Sequence, residues 1–189
     1  MTRRRYRPDG ASSWPASFPV RRGVTPAFVV ERLAPHHDRT AFHSGAEPLD
    51  RYLQAQAAQD ERRRISACFV AGDRQGDKVS GYCTLAMGAV LLSDLPEATT
   101  RKLPRYPTVP AARLGRLAVD ERCRGRGLGG ALFWEAVDRA SASEIAAFAL
   151  LVDAKDEAAT AFCRHHDVLP LGDQPRTLFL PLATGLAQR

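Results

Sequence analysis

Between Arg113 and Gly130 the chain reads Arg-Leu-Gly-Arg-Leu-Ala-Val-Asp-Glu-Arg-Cys-Arg-Gly-Arg-Gly-Leu-Gly-Gly. No other stretch constrains the fold as much. Arg113 to Val119 alternates apolar with long or polar residues, the period of a strand. Asp120 and Glu121 end it, and four glycines then fall within the seven residues from Arg124 to Gly130. From Ala131, Leu132, Phe133, Ala136, Val137 and Ala140 recur at helical spacing. The pattern is strand, glycine turn, helix. Glycines at such a junction let backbone N–H groups crowd around an anion at the positive end of a helix dipole. Arg124 and Arg126 lie inside the turn, so a pyrophosphate is the natural guest.

Two kinds of phosphate binder are written this way. Gly125-x-Gly127-x-x-Gly130 fits the dinucleotide fingerprint, with Asp153 near the distance of its ribose-binding acid. That reading makes the chain a fragment of an oxidoreductase. Against it, only 59 residues follow Gly130, too few for a doubly wound sheet, and the fingerprint strand normally opens its domain. The second reading is the Arg-x-x-Gly-x-Gly pyrophosphate loop of acetyltransferases, matched by Arg124-Gly-Arg-Gly127-Leu-Gly129. Neither loop is decisive alone, and the rest of the chain arbitrates.

The length of 189 residues allows one domain with a tail. No run of 18 apolar residues exists to span a membrane, and the start has no apolar stretch of the signal-peptide kind. The four cysteines, Cys68, Cys83, Cys123 and Cys163, form no Cys-x-x-Cys pair, which argues for reduced thiols in a cytoplasmic protein and for no metal site. The net charge of +6 is concentrated: residues 1–26 hold six arginines against one acid, and residues 101–126 hold eight bases against two acids. A basic patch over 101–126 suits the phosphates of a cofactor or a nucleic acid, or is plain solvated surface.

Residues 1–26, with four prolines among Ser, Gly and Arg, read as a disordered basic tail before a domain over 27–189. Phe28–Leu33 is a first strand. His36 and His37 are adjacent and read as loop surface. A helix starts near Ser44-Gly-Ala-Glu47 with Pro48 in its first turn, carries Leu49, Leu53 and Ala57 on one face, and closes at Arg62-Arg-Arg64. Ile65–Ala71 and Val79–Met87 form a strand pair around a turn at Asp73–Asp77. The three prolines of Leu103–Pro110 exclude a central strand there. Ile145–Val152 is a buried strand, Asp156 opens a helix over 157–165, and two last strands flank a turn at Gly172–Pro175. The fold class is α/β, a mixed sheet with helices on both faces.

Taken together these elements resemble the GNAT superfamily of N-acetyltransferases, and most closely its aminoacyl-tRNA-acetylating toxins from toxin–antitoxin pairs. The residues carrying the resemblance are Phe42-His-Ser-Gly45, Leu49-Asp-Arg-Tyr-Leu53, Gly81-Tyr-Cys-Thr-Leu85, Leu103-Pro-Arg-Tyr-Pro107, Leu114-Gly-Arg-Leu-Ala-Val-Asp120, Arg124-Gly-Arg-Gly-Leu-Gly129 and Val152-Asp-Ala-Lys-Asp156. The resemblance implies acetyl-CoA as donor, the amino group of aminoacyl-tRNA as acceptor, a ribbon-helix-helix antitoxin partner and often a homodimer. It implies that Leu117, Ala118 and Val119 pair with the pantetheine arm, that the backbone N–H near Val119 faces the thioester oxygen, and that Arg124, Gly125, Arg126, Gly127, Leu128, Gly129 and Gly130 hold the pyrophosphate.

The amine attacks the thioester directly. An α-amino group has a pKa of roughly 8, so a strong base is unnecessary, but the leaving thiolate gains from a proton donor. Relatives place a Tyr for this in Phe-Tyr-x-x-x-Gly-Phe. Here the stretch is Phe162-Cys163-Arg164-His165-His166-Asp167-Val168, with Cys163 at the tyrosine position and Asp167-Val168 for Gly-Phe. His165 and His166 are alternative donors or helix-end surface residues. The chain is thus an active enzyme, or an acetyl-CoA-binding relative acting as a partner-binding or regulatory module.

Overall fold

The computed structural model describes residues 28–72 and 77–187. The tail expected over residues 1–26 lies outside them, as does the turn expected at Asp73–Asp77 apart from Asp77. Seven strands form one sheet in the order β1-β2-β3-β4-β5-β7-β6. They are β1 (Val29–Arg32), β2 (Ala67–Gly72), β3 (Val79–Leu91), β4 (Thr108–Val119), β5 (Ala149–Asp153), β6 (Leu169–Leu171) and β7 (Gln174–Pro181). Every neighbouring pair is antiparallel except β4 and β5. The helices are α1 (Glu47–Arg51), α2 (Ala57–Arg63), α3 (Glu97–Thr100), α4 (Leu128–Ser141), α5 (Glu157–His165) and α6 (Leu182–Ala187). A π-helical turn, Tyr52–Gln56, joins α1 to α2.

Strand alternation sorts the core into two faces. On one, Leu132, Phe133, Ala136 and Val137 of α4 and Cys163 of α5 pack on Cys83, Leu114, Leu150 and Val152. On the other, Tyr52, Leu53 and Ala57 cover Val70, Tyr82 and Ala118, while Val90, Ala111, Leu151 and Phe179 form a separate cluster further along. Gly81 is where α4 crosses the sheet. A Cβ there would come within 2.8 Å of Leu132 Cδ1 and 3.1 Å of the Ala118 carbonyl oxygen, so the helix sits this close only because the residue has no side chain.

Several elements differ from the sequence expectation. β4 begins at Thr108 and takes Pro110 into the middle of the sheet, opposite Ala89. The Pro110 carbonyl accepts from the Phe148 N–H, so its ring nitrogen faces the β5 side, just before β5 pairing starts at Ala149. The missing donor therefore costs no ladder bond. β3 runs four residues beyond Met87 to match the longer β4. Ile145 to Phe148 precede the strand, and Ile145 is exposed. α4 starts at Leu128, so Gly129 and Gly130 belong to its first turn rather than to the loop. α6 was not expected. His37 is buried, not loop surface: its Nδ1 accepts from the Ala34 N–H, which leaves Nε2 to donate to Glu31 at 2.8 Å.

The segment before α1 is tied to the end of β4. Asp120 is 1% exposed and accepts from the His43 N–H (3.1 Å), the Arg122 N–H (3.0 Å) and the Arg122 guanidinium (2.8 Å). The Glu121 N–H donates to the His43 carbonyl. Asp50, also buried, accepts from the Ser44 N–H and hydroxyl at 2.8 and 2.5 Å and from His43 at 3.1 Å. Ser44 thus serves Asp50 instead of capping α1, whose N-cap is Ala46.

The Arg122 guanidinium and the backbone donors hold the Asp120 carboxyl down at about 2. An unfolded Asp titrates near ~3.9, so the clamp stabilises the fold fully above that value and loses its contribution as the pH falls toward 2. Asp120→Asn should cost on the order of 2 kcal/mol at pH 7, and the gap to wild type should close between about pH 5 and pH 2. Urea unfolding of both proteins across that range measures it. A gap independent of pH would mean that charge is not what Asp120 contributes.

Candidate active site

β4 and β5 pair for only four positions, Ala111↔Ala149 to Leu114↔Val152. β4 then runs on beside β3 as far as Val119↔Gly81. Beyond Leu114 the register of β4 on β3 shifts by one residue at Gly115, a β-bulge. From Gly115 to Val119 the edge of β4 turned away from β3 therefore has no strand beside it among the described residues. The Asp120 N–H donates back to Ser80 on the β3 side. Alternation along the strand turns the N–H and carbonyl groups of Val119 and Leu117 to the open edge, and those of Ala118 to β3. An extended amide-bearing ligand can add here as a strand would.

The open edge leads straight into the glycine loop. Residues 121–123 form a 3₁₀ turn, Gly125 has φ +71° and Gly127, the N-cap of α4, has φ +77°. Nothing lies within 4 Å of where a Cβ on either glycine would stand. No side chain caps α4, and its first ladder bond runs from Ala131 to the Gly127 carbonyl. The N–H groups of Leu128, Gly129 and Gly130 thus project from the positive end of a fourteen-residue helix. That donor set fits a pyrophosphate. The loop arginines contribute differently from the expectation. Arg124 donates to the Ser44 carbonyl and lies 3.4 Å from Glu121, and the Arg126 guanidinium sits 4.8 Å over the Phe28 ring. Both guanidinium groups thus have protein partners, and the backbone N–H groups face the open space. Gly129 and Gly130 face inward, toward Phe162 and His166.

Cys163 lies beneath the glycine-loop helix, 3% exposed, in the α4 side of the core. Burial pushes its thiol up to about 11. His166 is half-buried rather than surface. Its ring stacks on Phe133 at 5.1 Å and meets Phe162 at 4.8 Å, and desolvation lowers its pKa. His165 is exposed at the end of α5. Asp167 takes φ +56°, the conformation that a glycine would adopt freely.

The sequence reading missed the Asp120 and Asp50 clamps and the bulge. Gly115 inside an otherwise regular strand was the available signal for the bulge. The Asp120 clamp joins residues 77 positions apart and left none, while the Asp50 clamp spans only six or seven positions.

The dinucleotide reading fails on topology. Its strand should lie between parallel neighbours, but β4 is antiparallel to β3, and Asp153 is engaged by Arg113 and Thr177. Residues 31–167 match the model of the Acetyltransferase (GNAT) family. A tRNA-acetylating toxin of Mycobacterium tuberculosis (strain ATCC 25618 / H37Rv) is 39% identical over 138 residues, 72% of this chain and 81% of its own. Among solved structures, AtaT complexed with acetyl-methionyl-tRNAfMet is 27% identical with a TM-score of 0.79, covering 85% of this chain and 98% of its own. A tyrosine-to-phenylalanine mutant of AtaT bound to the C-terminus of the antitoxin AtaR is 25% identical with a TM-score of 0.72, covering 86% of this chain and 98% of its own. No helix among the described residues is long and apolar enough to cross a membrane. By the family match over most of its length, by the sheet order and by the parted strands that end in a glycine loop, the chain belongs to the GNAT family of acetyltransferases.

Proposed function

We propose that this chain is an acetyl-CoA-dependent N-acetyltransferase that acetylates the α-amino group of aminoacyl-tRNA and so blocks translation. The observation that carries the reading is the open β4 edge running into the uncapped start of α4. Acetyl-CoA supplies the acetyl group as a thioester. Leu117, Ala118 and Val119 hold its pantetheine arm by backbone pairing. Gly125, Gly127 and the N–H groups of Leu128, Gly129 and Gly130 hold the pyrophosphate, with Arg124 and Arg126 flanking the loop. An N–H on the open edge, at Val119 or Leu117, donates to the thioester oxygen as negative charge grows on it. The acceptor is argued from the 39% identical tRNA-acetylating toxin and from AtaT with its acetylated tRNA. An antitoxin partner follows from AtaT with AtaR. The ribbon-helix-helix type of that partner, a homodimer, a cytoplasmic location and a domain spanning 27–189 after a tail of 1–26 belong to the same proposal.

Incubating the protein with acetyl-CoA and a charged tRNA pool should acetylate the aminoacyl groups and leave uncharged tRNA unmodified. No transfer to any charged tRNA would overturn the acceptor. The cradle is tested separately. Gly127→Glu drives a carboxylate into the open space above the loop, so calorimetry should show acetyl-CoA affinity falling at least ~100-fold. The positive φ costs the fold only about 1–2 kcal/mol. Wild-type affinity in this variant would mean that the loop does not hold the pyrophosphate.

Cys163 favours a slower enzyme than its relatives. A thiol held at about 11 is a weaker acid than the ordinary thiol, near ~8.5, that it would have to protonate. General acid help is typically worth ~10²–10⁴-fold, and most of it should be missing. Single-turnover acetylation should stay within about twofold in Cys163→Ala and rise in Cys163→Tyr. A fast wild type crippled by Cys163→Ala would make the thiol a working catalytic group. Acetyl-CoA binding with no transfer in any form would favour the regulatory module.

A further inference from the structure

On the face of the sheet opposite α4, the mouth of the parted strands carries the Asp153 carboxylate beside Arg113 and Arg116. Asp153 is the first residue of β5 past its last pairing with β4, Leu114↔Val152. Val152 packs on the α4 side and Leu151 on the other, so Asp153, in step with Leu151, projects away from α4. Arg113 of β4 donates to its Oδ2, and the Thr177 hydroxyl of β7 donates to its Oδ1 at 3.2 Å. Lys155, paired with Asp156, follows just after β5, and Arg176 of β7, in step with Leu178 on the α4 side, bonds the Lys155 carbonyl. On the face that Asp153 takes, Arg116 lies 3.5 Å over the Tyr52 ring. Asp153 stays half-exposed, and a carboxylate has about four lone-pair sites, so its two donors leave room for a third.

This polarity suits an acceptor with two charges of opposite sign. The basic groups suit a polyanion. A carboxylate among them repels phosphate and attracts an ammonium. We propose that Asp153 receives the α-ammonium of the aminoacyl group and brings it to the thioester, a reading that rests on the acetyl-transfer function proposed above. The ammonium first gives one proton to water. The free amine then forms the C–N bond as the C–S bond breaks. The amide nitrogen loses its second proton to solvent, and the thiolate takes one from solvent. Arg113 and Thr177 fix the carboxylate at the vertex of the splay, and the guanidinium keeps the ammonium from being held too tightly to lose its proton.

The test uses the full chain, acetyl-CoA and charged tRNA across pH 5.5 to 8.5. A carboxylate beside an amine holds its proton, so Asp153→Asn should move the acid limb of kcat to lower pH by on the order of half a unit. The same variant should raise KM for charged tRNA about tenfold. Arg113→Gln, which frees the carboxylate of its cation, should move the limb the other way. Acetyl-CoA affinity by calorimetry should be unchanged in both, which also reports that both are folded. If both variants lose activity with no movement of the limb, the pair is a structural link and the proposal is wrong. A wild-type protein that binds acetyl-CoA but acetylates no charged tRNA overturns the acceptor reading and this one with it. An active wild type matched by Asp153→Asn in KM and pH profile overturns this one alone.

Discussion

A sheet that stops pairing in its own middle governs this structure. Four register pairs hold β4 to β5, and then the strands part while β4 continues beside β3. Interior strands normally satisfy both edges, because a buried unpaired peptide group costs about as much as a lost hydrogen bond. Here one edge of the central strand stays available over Gly115 to Val119. The bulge at Gly115 sits at the point of departure and adds twist where the strands separate. The fold thus presents a ready-made strand edge whose natural complement is another extended amide chain.

The parting holds its shape because both lips are anchored from elsewhere. On one lip, Asp120 and Glu121 bind the backbone of residue 43, and Arg124 reaches the carbonyl of residue 44. The segment that leads into α1 is therefore stitched to the glycine loop before any ligand arrives. On the other lip β5 is held by β7, through Asp153↔Thr177 and onward. Tyr82, fully buried between the sheet and α1, donates to the Leu49 carbonyl at 2.8 Å and fixes the helix above the strands. The bonds from Asp120, Glu121 and Arg124 tie the entry to the glycine loop directly to residues 43 and 44.

How much was legible follows the range of the interactions. The glycine loop, its helix and the Asp156 cap are local, and the sequence pattern locates them within a few residues. The cap itself is observed, with Asp156 accepting from the Ala159 N–H at 2.8 Å. Pro110 misled because a proline is judged by its own strand, whereas its cost depends on where the neighbouring strand begins. His37 misled because adjacency in sequence says nothing of burial, which β1 and the following turn create. The Arg124 side chain also meets Glu121 and the Ser44 carbonyl, and a partner 80 positions away leaves no local signal.

The end of α5 shows what changes and what does not in this chain. Asp167 adopts φ +56°, and the Val168 N–H donates to the Cys163 carbonyl at 3.1 Å. Asp accepts this conformation better than most residues, at a cost glycine avoids. Val168 is buried in the same core as Cys163, so the turn keeps its geometry and its hydrophobic anchor. The side chain at 163 ends inside the core, on a thiol that burial makes harder to ionise. The backbone of this turn is thus maintained against a local penalty. Cys163 and Val168 thus join α5 and the turn after it to the core beneath α4.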